Sequence, residues 1–414
     1  MLFVSVCEVS CSAVDVFIPA LFLFPLRTFF HKVKFPTFSF HLHFTQMGFD
    51  LNCIKGLVGG NADIGRALDG QVDWAALGKK AFELAKPYVV QYIGQVPRPD
   101  NVNINQAFQD AATATGTKPY EVPAENKYAD GNVRALLIGI NYYGTSAELS
   151  GCVNDVKQEL ATFQKTGFPV EEMAILVDEK GFPNVTALPT RANIIKYMAW
   201  LVKDAQKGDV LFMHYSGHGT QTKSNDQYEE NDQVICPSDY DTAGCILDND
   251  IFKLLAENLP KGVRLTVLFD CCHSGSMLDL PYQFVGGSGV SSSTDAHMNQ
   301  VRKNNFSQGD ILMISGCSDS QTSADVGNTA TLGNGTSGAG GAGTQCLTYT
   351  LLNTKNLSYQ DTLIKTRDML KKKSFEQVPQ LSCSKPLDLT TKFSMLQLFT
   401  LDSNLSSTLP AQYK

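Results

Sequence analysis

The chain has 414 residues, of which 43% are hydrophobic and 18% charged, enough to bury one large or two ordinary domains and too apolar for a disordered protein. A formal net charge of −7 removes the electrostatic case for nucleic-acid binding, and the short run Lys371-Lys372-Lys373 reads as a solvated helix end. Eleven cysteines, an odd number without regular spacing, exclude a secreted disulfide framework and suit a reducing, cytoplasmic setting.

Residues 1–46 differ from the rest in being dense in Phe and holding three of the seven histidines. The apolar stretch Val16 to Leu26 is broken by Pro19 and Pro25 and is shorter than the roughly 18–20 residues a membrane span needs. It also lacks a preceding basic region. This leader is expected to be disordered or a mis-assigned start, with Met47 as the true one and no stable membrane insertion. Gly48 is not followed by a myristoylation pattern. Residues 47–130 are expected to be an N-terminal regulatory extension, with a short amphipathic helix around Trp74 to Ala85 and extended chain forced by Pro97-Arg98-Pro99.

From Val133, strands and helices alternate through residues 131–400, leaving 401–414 as a tail. Arg134 to Ile140 reads as an apolar strand and Asp155 to Lys165 as a helix with Val156, Leu160 and Phe163 on one face. Met173 to Val177 is a strand, and Thr190 is placed to cap a helix through Ile194, Tyr197, Met198 and Leu201. A strand from Val210, a polar loop, a helix Ile251 to Leu259 and a strand Leu265 to Phe269 follow. Ile311 to Ile314, helices near Cys346–Leu352 and Tyr359–Leu370, and a strand near Gln380–Cys383 complete the core. The Gly/Ser-rich stretches Val285–Thr294 and Gly327–Gly343 are expected to be loops, either bordering the crevice as mobile walls or serving as idle linkers. The alternation predicts an α/β sandwich with a mostly parallel sheet and helices on both faces.

Two polar runs end apolar strands: His214-Tyr215-Ser216-Gly217-His218-Gly219 and Asp270-Cys271-Cys272-His273-Ser274-Gly275. At the ends of buried strands a sheet delivers side chains to a crevice. One run offers an imidazole and the other a thiol, with His218 roughly 50 residues upstream of the cysteines, the caspase-type order. Only a thiolate is a good nucleophile, and a nearby imidazole takes its proton and later protonates the leaving amine. Gly219 and the backbone N–H of Cys272 leave room for an oxyanion to meet amides. His214 and His273 are rival bases: His214 lies within its strand and is expected to face a helix layer, while His273 points away from its neighbour. The same alternation selects one of Cys271 and Cys272 without saying which. Consecutive Cys-Cys-His cannot readily wrap one tetrahedral zinc.

These runs, with Ala135-Leu136-Leu137-Ile138-Gly139-Ile140-Asn141-Tyr142 and Gly151-Cys152-Val153-Asn154-Asp155, make the chain resemble a type I metacaspase of the kinetoplastid kind over roughly residues 75–400. The resemblance implies a caspase-like three-layer sandwich and a monomeric cysteine endopeptidase with His218 as general base and acid and Cys272 as nucleophile. It implies cleavage of protein or peptide substrates after Arg or Lys, in a pocket of Cys152, Asp155, Ser216 and Asp270, since a desolvated cation must be paired. It implies activation by Ca²⁺ at Asp232, Asp248, Asn249 and Asp279, where Asn249 departs from the acidic pattern and Asp250 stands next to it. It further implies a regulatory Tyr88 lying over the pocket, and a zymogen with autoprocessing after residues such as Lys118 or Lys303. The competing reading is a catalytically idle scaffold of the same fold that binds protein partners.

Overall fold

The computed structural model describes residues 98–225, 231–271, 274–285, 296–316, 325–326, 340–354, 356–372, 375 and 378–414. The leader, the Trp74 helix, Tyr88, Cys272 and His273 lie outside them, as do most of the two Gly/Ser-rich stretches.

The strands in chain order are β1 Val133–Gly139, β2 Glu172–Val177, β3 Val210–Ser216, β4 Gly219–Lys223, β5 Asn231–Ile235, β6 Ile246–Leu247 and β7 Arg264–Asp270. Then come β8 Tyr282–Val285, β9 His297–Gln300, β10 Asp310–Ser315, β11 Asp325–Val326, β12 Gly340–Gly341 and β13 Gln380–Cys383. The α-helices are α1 Ile104–Ala111, α2 Cys152–Thr166, α3 Arg191–Val202, α4 Tyr240–Ala243, α5 Asp248–Phe252, α6 Ala342–Asn353 and α7 Tyr359–Lys372.

Eight strands form one sheet in the order β2-β1-β3-β7-β10-β13-β8-β9. The first five run parallel, and β13, β8 and β9 extend the sheet antiparallel. β3 and β7 are buried at every position, which is why they read as unbroken apolar runs rather than alternating ones. Leaving β1, the chain first builds β2 on one side and then β3 on the other. The β1/β3 boundary is therefore the topological switch point, where a parallel sheet opens a crevice at its carboxyl edge.

Side-chain alternation assigns the two faces. Ala135 and Leu137 pack with Val153, Val156 and Phe163 of α2, whereas Arg134 reaches the opposite layer and donates to the carbonyls of Trp200 and Lys203 at 3.0 Å each. The fold is thus a large central sheet flanked by helices, the caspase-like sandwich expected from the residues. α2 ends at Gly167, whose φ of 67° is the left-handed conformation that glycine adopts without strain. α3 starts at Thr190, whose hydroxyl accepts from the Asn193 amide at 3.4 Å.

Several local expectations give way. The polar segment after β3 is an antiparallel sheet of β4, β5 and β6, not a loop. β5 and β6 are buried at every position but Asn231, while β4 grades from buried Gly219 and Thr220 to exposed Lys223. The helix expected at Ile251 begins at Asp248 and passes into a π-helical turn, Lys253–Glu257. Gly340–Gly341 pairs with Asp325–Val326, and Ala342 starts α6, so the end of the second glycine-rich stretch is structured. Among the described residues no disulfide forms, and Cys152, Cys236, Cys245, Cys271, Cys346 and Cys383 are all buried, as small hydrophobes would be. Among the described residues no helix is long and apolar enough to cross a membrane.

Candidate active site

Asn141 and Tyr142 leave β1 in a turn pinned by Asp178, whose carboxylate accepts from both amides at 2.9 and 2.6 Å. Tyr142 is held there at φ 52°, a left-handed conformation rare for a bulky residue. Two consequences follow. The Asn141 side-chain oxygen caps α2 by accepting from the amides of Cys152 and Val153 at 2.9 and 3.3 Å. The Tyr142 hydroxyl is delivered to the end of β3, where it accepts from the His218 amide at 2.9 Å and donates to the Cys236 carbonyl at 2.6 Å.

His218 is fixed on every side that the structure describes. Its carbonyl accepts from the Tyr215 hydroxyl at 2.8 Å and from the Cys236 amide at 3.1 Å, and its ring lies 4.7 Å from that of Tyr142. Nε2 sits 2.7 Å from the Ala147 carbonyl. A carbonyl only accepts, so Nε2 carries the hydrogen and Nδ1 is the basic nitrogen of the neutral ring. The rival His214 is fully buried, with neither ring nitrogen hydrogen-bonded, and desolvation lowers its pKa to about 3. Its register opposite Leu137 turns it toward α2, into the helix layer as expected, where it acts as packing and not as a base. Cys271 is buried, and its carbonyl accepts from the Ser274 hydroxyl at 2.9 Å. Gly219 opens β4 directly after His218, opposite Ile235.

Ser216 and Asp270 are register partners at the ends of β3 and β7 and so share one face of the sheet. Asp155, in the first turn of α2, meets them there by accepting from the Ser216 hydroxyl at 2.8 Å. Cys152 lies one turn before Asp155, and all four residues are buried. The sequence thus names four residues that the fold brings together. For the segment that closes them off it offers only a glycine-rich stretch, ending at Gly343, that could border the crevice or serve as a linker. The Gly341 amide is 2.9 Å from both oxygens of Asp155, the Gln345 amide nitrogen donates to Asp155 at 2.8 Å, and the Thr344 amide donates to Asp270 at 2.7 Å. Burial, and after it the Asp270 charge, push the Asp155 pKa well above the ordinary carboxylate range. One turn on, buried Glu159 is raised to about 7 by desolvation, its carboxyl accepting from the Thr348 hydroxyl at 3.2 Å. Tyr142, Ala147, Gly341, Thr344 and Gln345 are the site residues that sequence reading misses, because most act through the backbone or across about 190 positions.

The residues expected to hold calcium are differently engaged. Asp232 pairs with Arg98 and accepts from the Ser224 hydroxyl. Asp248 accepts from the Gln233 and Asn249 amides at 2.5 and 2.7 Å, and Asp279 pairs with Arg302 at 2.5 Å. Asp250 accepts from the Val102 amide at 2.9 Å. Among the described residues no group of three or more His, Cys, Asp or Glu side chains is placed to hold a metal ion. Calcium needs six to eight oxygens converging on one point, and in this arrangement Asp232 and Asp279 are turned to guanidinium partners.

The sequence profile of the metacaspase, peptidase C14 domain matches residues 133–281, which carry both polar runs. Metacaspase-3 of Trypanosoma cruzi is 56% identical over 357 residues, covering 86% of this chain and 99% of that protein. Metacaspase-3 of Trypanosoma brucei brucei is 54% identical over 340 residues, covering 81% of this chain and 94% of that protein. A further relative, named inactive metacaspase-4 of Trypanosoma brucei brucei, is 45% identical over 338 residues, covering 81% of this chain and 95% of that protein. With relatives of this identity aligned over most of its length, the chain belongs to the metacaspases, cysteine peptidases of the C14 family, and is of their kinetoplastid kind.

Proposed function

We propose that the protein is an endopeptidase cutting after Arg or Lys with a His218/Cys272 dyad. The carrying observation is the pairing of a tautomer-fixed histidine with two buried carboxylates, Asp155 and Asp270, at one carboxyl edge of the sheet. In the proposed cycle, Nδ1 of His218 accepts the Cys272 thiol proton and the thiolate attacks the scissile carbonyl carbon. The backbone amides of Gly219 and Cys272 are the expected donors to the oxyanion. Collapse breaks the C–N bond as the imidazolium protonates the leaving amine, and a water deprotonated by His218 then hydrolyses the thioester. The Ala147 carbonyl supports this assignment, since it stabilises the ring hydrogen on Nε2 in both the neutral and the charged form.

The basic side chain preceding the cut would be paired by the acid pair, because an Arg or Lys leaving water needs an opposite charge. Calcium activation belongs to the proposal as an event apart from bond cleavage, supported by the buried carboxylates of Asp232 and Asp248; an ion reaching Asp232 must displace Arg98. Autoprocessing after Lys118 or Lys303, occlusion by Tyr88, monomeric action and a cytoplasmic location remain parts of the same reading. The scaffold alternative has in its favour the relative named inactive. An Arg-terminated reporter separates the two. The peptidase reading expects calcium-stimulated hydrolysis that Cys272→Ala abolishes and His218→Ala lowers by about 10³-fold or more; no hydrolysis by the intact protein favours the scaffold.

A further inference from the structure

We infer that Gln345, acting with the backbone amides of Gly341 and Thr344, is a positioning residue that sets recognition of the substrate's basic side chain by holding Asp155 and Asp270 in register as an acid pair. This rests on the acid pair being the pocket for that side chain. Two carboxylates on adjacent strand and helix ends repel one another, and burial adds to the cost of charging both. They persist as a pair only if donors answer them. Here the Ser216 hydroxyl, the Gly341 amide and the Gln345 amide meet Asp155, and the Thr344 amide meets Asp270.

The geometry of this wall is specific. A Cβ on Gly341 would overlap Oδ2 of Asp270 and lie 2.9 Å from Oδ2 of Asp155, so the backbone there passes between the two carboxylates, with room for glycine only. Gln345 is fully buried in the first turn of α6, and its side chain reaches Asp155 on α2. Its carboxamide must present nitrogen, because a carboxylate only accepts. One turn further along the same seam, Thr348 donates to Glu159 at 3.2 Å, so α6 answers α2 twice with a neutral donor against an acid. The family motifs name the acids; α6 supplies what keeps them in register.

Gln345→Met keeps the side-chain shape and removes the donor, and the test is steady-state kinetics of the full chain on reporters ending in Arg and in its neutral isostere citrulline. KM does not depend on the fraction of enzyme that folds, so it remains readable if the variant is partly lost. The expected result is a KM for the Arg reporter raised about tenfold or more, with kcat changed less than about threefold and the Arg-over-citrulline preference reduced. Gln345→Lys, which lays an internal ammonium against Asp155, should raise that KM further while leaving the citrulline reporter little changed. An unchanged KM in both variants overturns the inference. Asp270→Asn tests the pocket itself: if it loses the Arg preference while the Gln345 variants keep wild-type KM, only the role of Gln345 falls. If Asp270→Asn retains the preference, the pocket reading falls and carries this inference with it.

Discussion

Two clusters of buried carboxylates lie in this domain and are satisfied in opposite ways. Asp155 and Asp270 are met by a hydroxyl, a side-chain amide and backbone amides, all neutral. Asp232 and Asp279 are each met by a guanidinium, from Arg98 and Arg302. A neutral donor lowers the cost of a buried charge without cancelling it, whereas an ion pair neutralises it in place. Asp155 is thus held in place by groups that bring no positive charge of their own, whereas Asp232 and Asp279 are ion-paired from within.

Removing charge from the first cluster should have the largest effect. Asp270→Asn is expected to lower kcat/KM on an Arg reporter about 10²- to 10³-fold, since a desolvated cation left without its partner costs about 3–5 kcal/mol. An effect below about fivefold would mean that the pair does not meet substrate. Breaking the second cluster should act on stability instead. Arg302→Met leaves Asp279 buried without its guanidinium, and denaturant melts should show a loss of about 3–5 kcal/mol; a loss under about 1 kcal/mol would mean that Asp279 is answered by other groups.

The seam beside the first cluster offers a pH test. Glu159 has its pKa raised from 4.5 to about 7, so the folded state holds its proton more tightly than the unfolded chain. The associated stability is fully present below pH 4.5, declines as pH rises, and is lost once pH passes about 7. Glu159→Gln should remove that decline and exceed the parent by about 3 kcal/mol at pH 8, read as the difference between urea melts at pH 5 and pH 8. His214 runs the other way. With its pKa lowered from 6.5 to about 3, it costs nothing at pH 8 and progressively destabilises the fold as pH falls below 6.5. His214→Leu should gain about 2 kcal/mol on the parent at pH 5, and equal melts at that pH would show that the ring finds a partner. The smallest effect belongs to the surface end of the second cluster. Arg98 is partly exposed, so Arg98→Ala should shift the melt by about 1 kcal/mol or less. In calorimetric titration it should tighten calcium binding about tenfold, while unchanged or weaker binding would separate Arg98 from the ion altogether.

How much of this was legible in the sequence follows from the range of each interaction. The parallel core was plain, because β1, β3 and β7 are buried on both faces and read as continuous apolar runs. Ser216 and Asp270 were readable through the family resemblance, and the structure adds that they terminate such runs as register partners. The β4–β6 sheet was missed because its polar residues, Gln221, Thr222, Asp232 and Gln233 among them, look like loop until the pairing is seen. The α6 wall was only half legible: a glycine-rich stretch that could border the crevice and a helix after it could be read, but not their contacts. Gly340 and Gly341 carry no side-chain signal, their function is a backbone amide aimed at Asp155, and Gln345 stands out only once α6 is laid across α2. The Arg98–Asp232 pair joins positions 134 apart and leaves no local trace.

The most direct measurement is the cleavage rate of the intact protein on four reporters that differ only in the residue before the cut: Arg, Lys, citrulline and Asp. A charged pocket at Asp155 and Asp270 predicts that Arg and Lys are cut at least about a hundredfold faster than citrulline, and that Asp is not cut at a measurable rate. Citrulline or Asp hydrolysed as fast as Arg would contradict it.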